Sequence, residues 1–362
     1  MKIGIIDADL LDNGTNYPNL ASMKISGYHK KIGNEVELLL SYDNLNLYDI
    51  VYISKAFTKT KVSEEVLKLE NVVYGGTGFY YDKAEPLPYE IEHSKPDYDL
   101  YKPYIESEIL KGRSRKQLEY YTDYSIGFTT RGCIRGCEFC VNKNSKASIR
   151  HSNISEFINP NSKYITLLDD NMLACKDWKL ILEELQATGK RFKFQQGLDF
   201  RLLNKEKMQI LKDLNYRGDF IFAFDNIKDK SIIEKNLKLW NEIVGKQCRF
   251  YVFCGMNIDE AEKDISDMFE RISILMQYKH IPYIMRHENY KKSKYEKLYT
   301  NIARWCNQPN FFKTKSFREF AQLNQDQIKT QNKLSSCMSS LKLIEQDFPS
   351  IANKYFDTKF GV

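Results

Sequence analysis

Thr129-Thr130-Arg131-Gly132-Cys133-Ile134-Arg135-Gly136-Cys137-Glu138-Phe139-Cys140 is the stretch on which the reading of this 362-residue chain turns. Its three cysteines are spaced C-x3-C-x2-C. The segment just before it, Tyr124 to Phe128, is short and apolar-rich and reads as a strand, which puts the cysteines on the loop that leaves it. Gly132 and Gly136 let such a loop turn tightly. Three thiolates on one loop can hold three corners of a [4Fe–4S] cube, a cluster that usually takes four cysteines. No fourth cysteine lies near, so one iron would stay open. Structural zinc needs four ligands, and the second ligand pair is missing here. A disulfide fits poorly in a chain that reads as cytosolic.

The flanking pattern is an alternation of strands and helices. From Tyr124 onward the strand candidates are Tyr124–Phe128, Tyr164–Leu168, Arg191–Gln195, Asp219–Phe224, Arg249–Phe253 and Ile281–Met285. Helices are expected between them at Asp177–Gln186, Lys205–Leu214, Ser231–Ile243 and Asp259–Tyr278. Upstream, strands are expected at residues 2–6, Val36–Leu40, Tyr48–Ile53 and Asn71–Tyr74. Helices are expected over Leu20–Lys31 and near Ser63–Leu69, and polar turns between the first strand and Pro18. Such alternation predicts parallel sheets, whose ligands sit at the carboxyl ends of the strands. In the front segment Asp7, Ser54 and the Gly75-Gly76-Thr77-Gly78 turn fall there.

The cysteine loop resembles the signature of the radical S-adenosylmethionine (SAM) superfamily. The resemblance implies that SAM chelates the open iron of a [4Fe–4S] cluster held by Cys133, Cys137 and Cys140. It further implies that an electron cleaves SAM to methionine and a 5′-deoxyadenosyl radical, which abstracts hydrogen from a substrate. Phe139 matches the aromatic position that lies beside adenine in the family. The expected fold is α/β: an N-terminal parallel-sheet, Rossmann-like domain that resembles cobalamin (B12)-binding domains, then a partial (β/α)6 barrel and a small C-terminal helical region. The expected boundaries are 1–81, a connector at 82–123, the barrel at 124–290 and a basic, aromatic cap at 291–362.

The barrel places candidate cofactor-binding residues after each strand. Asp169, Asp170 and Asn171 supply acceptors for the SAM ammonium. Gln196, Asp199 and Arg201 follow the third strand, where Arg201 can grip the SAM carboxylate or pair with Asp199. Asp225 follows the fourth, Gly255 the fifth, where it can allow close approach to adenine, and Arg286 the sixth. His287 reads as a packed or surface histidine, or as a proton-transfer group.

In the front domain the cobalamin motif Asp-x-His-x-x-Gly would begin at Asp7, but Asp9 stands at its histidine position and Asp12 at its glycine position. A carboxylate is a poor cobalt ligand beside imidazole. Either cobalamin binds with no protein ligand below the cobalt, or the domain is a scaffold that binds none. A cobalamin-dependent methyltransferase and a nucleic-acid-modifying enzyme are the other readings, with a zinc-binding scaffold as the non-enzymatic one.

Composition bounds these readings. Hydrophobic residues make up 42% of the chain, enough for buried cores, and net charge is +6, which permits an anionic partner without demanding one. No apolar run approaches the roughly 18 residues of a membrane span, and Asp7 arrives too early for a signal peptide. A cytoplasmic, oxygen-sensitive protein is expected, served by a reducing partner such as flavodoxin or ferredoxin. Its substrate is a small molecule, peptide or nucleic acid. Cys175, Cys248, Cys254, Cys306 and Cys337 show no clustered spacing and read as core thiols. In the tail, Phe311, Phe312 and Phe317 stand among Lys313, Lys315 and Arg318. They can stack bases, or pack as a helical cap with the cations outside.

Overall fold

After Lys2 the run Lys2–Asp7 is apolar up to its last residue, so it forms a strand buried on both faces (β1). Glu35–Leu38 (β2), Ile50–Ser54 (β3) and Val72–Gly75 (β4) join it in a parallel sheet of order β2-β1-β3-β4. The computed structural model describes residues 1–330 and 333–361. The chain divides into two units: Met1–Gln196 with Asn215–Arg217, and Gly197–Leu214 with the chain from Gly218 on.

In the first unit, helix α2 (Leu20–Lys31) forms over the expected residues, capped by the Asn19 side chain. The expected turns before it are instead partly helical. Ala8–Asn13 (α1) is capped by Asp7 and stopped by left-handed Gly14, a signal that six residues of sequence carried without any visible period. Short α3 (Glu64–Leu67) and α4 (Thr77–Tyr80) flank β4. The 82–123 segment, expected as a connector without regular structure, carries α5 (Tyr89–Glu92), α6 (Lys102–Leu110) and α7 (Glu119–Thr122). Its Ile91, Leu100, Tyr101, Tyr104, Leu118 and Tyr121 share one core with Ile3, Ile5 and Leu38. The segment is therefore a second layer on the front sheet. Its tyrosines bury their rings while their hydroxyls find partners.

Tyr124–Gly127 (β5), Tyr164–Leu167 (β8) and Arg191–Phe194 (β9) make a three-stranded parallel sheet in this same unit. Between β5 and β8 run the antiparallel pair β6 (Thr130–Arg131) and β7 (Ile149–Arg150), then α8 (Ile154–Phe157). Helix α9 (Trp178–Ala187) connects β8 to β9 and buries Ile181, Leu182 and Leu185.

The second unit starts with α10 (Lys205–Asp213) and holds the parallel sheet β10 (Ile221–Ala223), β11 (Arg249–Cys254) and β12 (Ile281–Arg286). Helices α11 (Lys230–Ile243) and α12 (Ala261–Gln277) are amphipathic and turn Ile233, Leu237, Trp240, Ile265, Met268 and Ile272 inward. Phe200, Phe222, Phe250 and Trp240 form an aromatic core with centroids 4.7–6.0 Å apart. The tail is helical: α13 (Glu296–Cys306), α14 (Pro309–Thr314), α15 (Phe317–Asp326), α16 (Ser336–Asp347) and α17 (Pro349–Tyr355). Phe312 and Phe317, with Trp305, are buried there and pack the cap, whereas Phe311 is partly exposed. The expected cap, 291–362, includes positions 331, 332 and 362, which lie outside the described residues.

Candidate functional site

Strand β5 delivers the chain into a loop whose neck is closed by the β6–β7 pairing of Thr130 with Arg150 and Arg131 with Ile149. The three cysteines of that loop are partly exposed. Gly132 enters it at φ +90, and a Cβ there would meet the Ala147 carbonyl oxygen at 2.3 Å, so this turn accepts glycine alone. The Cys133 N–H donates to Ser145 Oγ at 3.1 Å, and the Cys140 N–H donates to the Cys137 carbonyl at 2.9 Å.

The residues after β8 grip this loop. Asp169 is buried, and its carboxylate accepts from the backbone N–H and the hydroxyl of both Thr129 and Thr130, at 2.5–3.1 Å. Burial pushes its pKa up against those four hydrogen bonds. Asp170 accepts from Gly132 N–H at 2.9 Å and from Asn142 Nδ2 at 2.6 Å. Asn171 Nδ2 donates to Cys133 Sγ at 3.4 Å, and the Asn142 N–H donates to Cys140 Sγ at 3.4 Å. Expected as acceptors for a ligand cation, the Asp169 and Asp170 carboxylates instead accept from the cysteine loop itself. Asn142 and Ser145 were not foreseen, since single polar residues in a loop carry no period.

The donor set fits an iron–sulfur cluster. Three thiols sit on one glycine-turned loop, and two of their sulfurs accept N–H donors, the kind of bond that tunes such clusters.

The loop's neck is tied to the front of the chain. Glu92 takes Lys24 at 2.8 Å, Arg131 at 3.2 Å and His151 at 3.3 Å. Desolvation works against the Glu92 carboxylate, yet the Lys24 and Arg131 cations hold its pKa below the usual range. Phe139, the expected adenine neighbour, is partly exposed and its carbonyl accepts the Tyr81 hydroxyl at 2.7 Å.

The cobalamin position is occupied by the chain's own bonding. Asp9 is buried, and its carboxylate accepts from Ala56 N at 2.6 Å, Phe57 N at 3.3 Å and Thr60 Oγ1 at 2.5 Å. Asp7 accepts from Tyr101 OH at 2.8 Å and Leu10 N at 3.2 Å. Burial drives the Asp7 pKa up to about 6. Ser54 donates to the Asn19 side chain at 3.2 Å. These residues do not fit a cobalt ligand set at the carboxyl end of this sheet.

Of the remaining candidates, Gln196 is exposed at the end of the first unit. The others lie in the second. Arg201 is held by Asp199 at 2.7 Å and Asp229 at 2.8 Å, so the ion-pair alternative is the one realised. Burial opposes its charge, but these partners keep its pKa above the ordinary value. Asp225 accepts from Phe253 N at 3.1 Å; burial raises it to about 6 against the charge of Arg271. Gly255, at φ +75, admits the close approach of Tyr290, whose Cβ would lie 2.7 Å from an added Cβ. Arg286 is exposed, lies 4.5 Å from the Tyr290 ring centroid and donates to Thr300 Oγ1 at 2.9 Å. His287 caps the turn after β12 by accepting from Asn289 N–H.

Sequence reading missed Arg271 on α12. It is buried and donates to the carbonyls of Phe224, Asp225 and Phe253 at 2.8–3.0 Å, tying the ends of β10 and β11. A lone arginine on an otherwise apolar helix face was the available signal.

No family model matches the chain, and no curated protein matches it. Among solved structures it is similar to the cobalamin-dependent S-adenosylmethionine radical enzyme OxsB with aqua-cobalamin and S-adenosylmethionine bound. That match has 12% identity and a TM-score of 0.48, over 99% of this chain and 64% of that one. It is also similar to the apo, selenomethionine-labelled form of OxsB, at 12% identity and a TM-score of 0.38, over 99% of this chain and 57% of that one. The chain spans less than two thirds of the length of either solved chain.

Proposed function

We propose that this protein is a radical SAM enzyme. The observation that carries the reading is the cysteine loop: C-x3-C-x2-C leaving strand β5, clasped by the residues that follow β8. When bound there, a [4Fe–4S] cluster with one open iron supplies the electron that cleaves SAM to a 5′-deoxyadenosyl radical, which takes hydrogen from the substrate. Cys133, Cys137 and Cys140 bind the metal. Asn171 and the Asn142 N–H orient the sulfurs and stabilise their negative charge. Asp169 fixes the Thr129-Thr130 entry and Asp170 fixes Gly132, so the loop keeps its shape while the protein binds and shields.

The reducing partner in this reading is a flavodoxin or ferredoxin of the cytoplasm, and the substrate is unidentified. Among the described residues no helix is long and apolar enough to cross a membrane. The engagement of Asp9 argues against a protein ligand to cobalt at that position, and the burial of Phe312 and Phe317 argues against base stacking by those two rings, while Phe311 stays partly exposed. The test is anaerobic reconstitution with iron and sulfide, then dithionite and SAM. Wild type is expected to release 5′-deoxyadenosine and Cys137→Ala to release none. Wild type without iron, or equal product from the variant, sinks the reading.

A further inference from the structure

The Gly75-Gly76-Thr77-Gly78 turn has a demanding geometry. Gly76 stands at φ +109, and a Cβ there would come within 2.4 Å of the Lys55 carbonyl oxygen. A Cβ on Gly78 would meet Lys55 Cγ at 2.6 Å and the Phe57 carbonyl oxygen at 2.8 Å. Only glycines let α4 nest this closely on residues 55–57. The nesting aims the chain at Tyr81, a non-glycine residue at φ 51 and ψ −116. Such a conformation costs energy and persists only where its surroundings fix it.

What fixes Tyr81 is the cysteine loop. Its hydroxyl donates to the Phe139 carbonyl at 2.7 Å. The next residue, Asp82, accepts from Lys143 Nζ at 3.0 Å and from Asn144 Nδ2 at 3.2 Å. These contacts bracket Cys140: one at the residue before it, the others just beyond Asn142, whose N–H points at Cys140 Sγ. The Tyr81 bond sets the peptide plane between Phe139 and Cys140, and so the direction in which Cys140 leaves the backbone.

We infer that Tyr81 and Asp82 are positioning residues: a finger from the segment after α4 that presets the Cys137–Cys140 turn for its cofactor. The inference rests on the cofactor reading of that loop.

The experiment uses the full chain purified without iron, with iodoacetamide labelling of each cysteine followed by mass spectrometry. Tyr81→Phe and Asp82→Asn are each expected to speed labelling of Cys140 about fivefold, as the loss of one hydrogen bond allows. Buried Cys254 should stay unlabelled and the melting temperature should hold. Asp82→Lys and Lys143→Glu should each speed labelling, and the double exchange should restore the wild-type rate. That rescue also decides the matter should Tyr81→Phe fold poorly. Wild-type labelling in the single variants, or no rescue in the exchanged pair, overturns the inference. After reconstitution, the Tyr81→Phe protein should show a higher KM for SAM at unchanged kcat. Wild type that takes up no iron defeats the cofactor reading alone, because the labelling experiment needs no metal.

Discussion

Asn171 points its side-chain amide at Cys133 Sγ, 3.4 Å away, across 38 residues of sequence. A donor aimed at a sulfur stabilises that sulfur's negative charge, and a reduced cluster carries more of it.

Replacing Asn171 by Leu should therefore make the reconstituted protein harder to reduce. The expected result is a midpoint potential lower by tens of millivolts with iron content unchanged. A spectroelectrochemical titration measures it, and an unmoved potential contradicts the role given to Asn171.

Asp169 is a stability residue. Its carboxylate satisfies two backbone N–H groups and two hydroxyls in a buried place, so Asp169→Ala leaves those donors without a partner. The expected cost is ~3 kcal/mol, from the penalty for unsatisfied buried donors, read as a lower urea midpoint. Loss of iron binding should accompany it, since the loop is anchored there.

Asp9→His restores the histidine of the cobalamin pattern, and no gain of corrinoid is expected. The side chain would have to abandon Ala56 N, Phe57 N and Thr60 Oγ1, destabilising the front sheet by ~2 kcal/mol. Incubation with hydroxocobalamin, desalting and a visible spectrum check the first point. A retained corrinoid band would contradict it.

Asp7 gives the fold a pH dependence. Its carboxyl has an ordinary value of 3.8, raised on folding to about 6 by burial, with nearby Asp9 adding to the rise. The folded chain thus holds this proton more tightly than the unfolded one. That contribution is complete below pH 3.8 and is lost as pH climbs through about 6. The gap corresponds to ~3 kcal/mol at 1.36 kcal/mol per pH unit. Asp7→Asn keeps an acceptor for Tyr101 and should remove that part of the fall, measured as unfolding free energy between pH 4 and pH 7.

Where the signal is local, sequence is enough. Helix α2 forms over the predicted residues because its cap, Asn19, and its end at Lys31 are written in neighbouring positions. The strands β5, β8, β9, β11 and β12 fall within a residue of expectation, because a buried parallel strand announces itself as a short apolar run. Helix α1 was missed because its caps bracket too few residues to show a period. The 82–123 segment was misread because scattered tyrosines and prolines look like linker until a sheet is there to receive them.

The sequence by itself determined three thiols on a strand-exit loop and the alternating elements around it, since spacing and hydrophobic period are properties of adjacent residues. Tertiary structure alone decided who holds that loop. Asp169, Asp170 and Asn171 turn back onto it, and Tyr81 and Asp82 reach it from the segment after α4. It also decided that Asp9 is bonded to Ala56 and Thr60, and that Arg201, beside its near neighbour Asp199, takes Asp229 from 28 residues away. A hydrogen bond has strict geometry but no sequence signature when its partners lie dozens of residues apart, so these assignments existed only once the backbone had brought them within 3–4 Å.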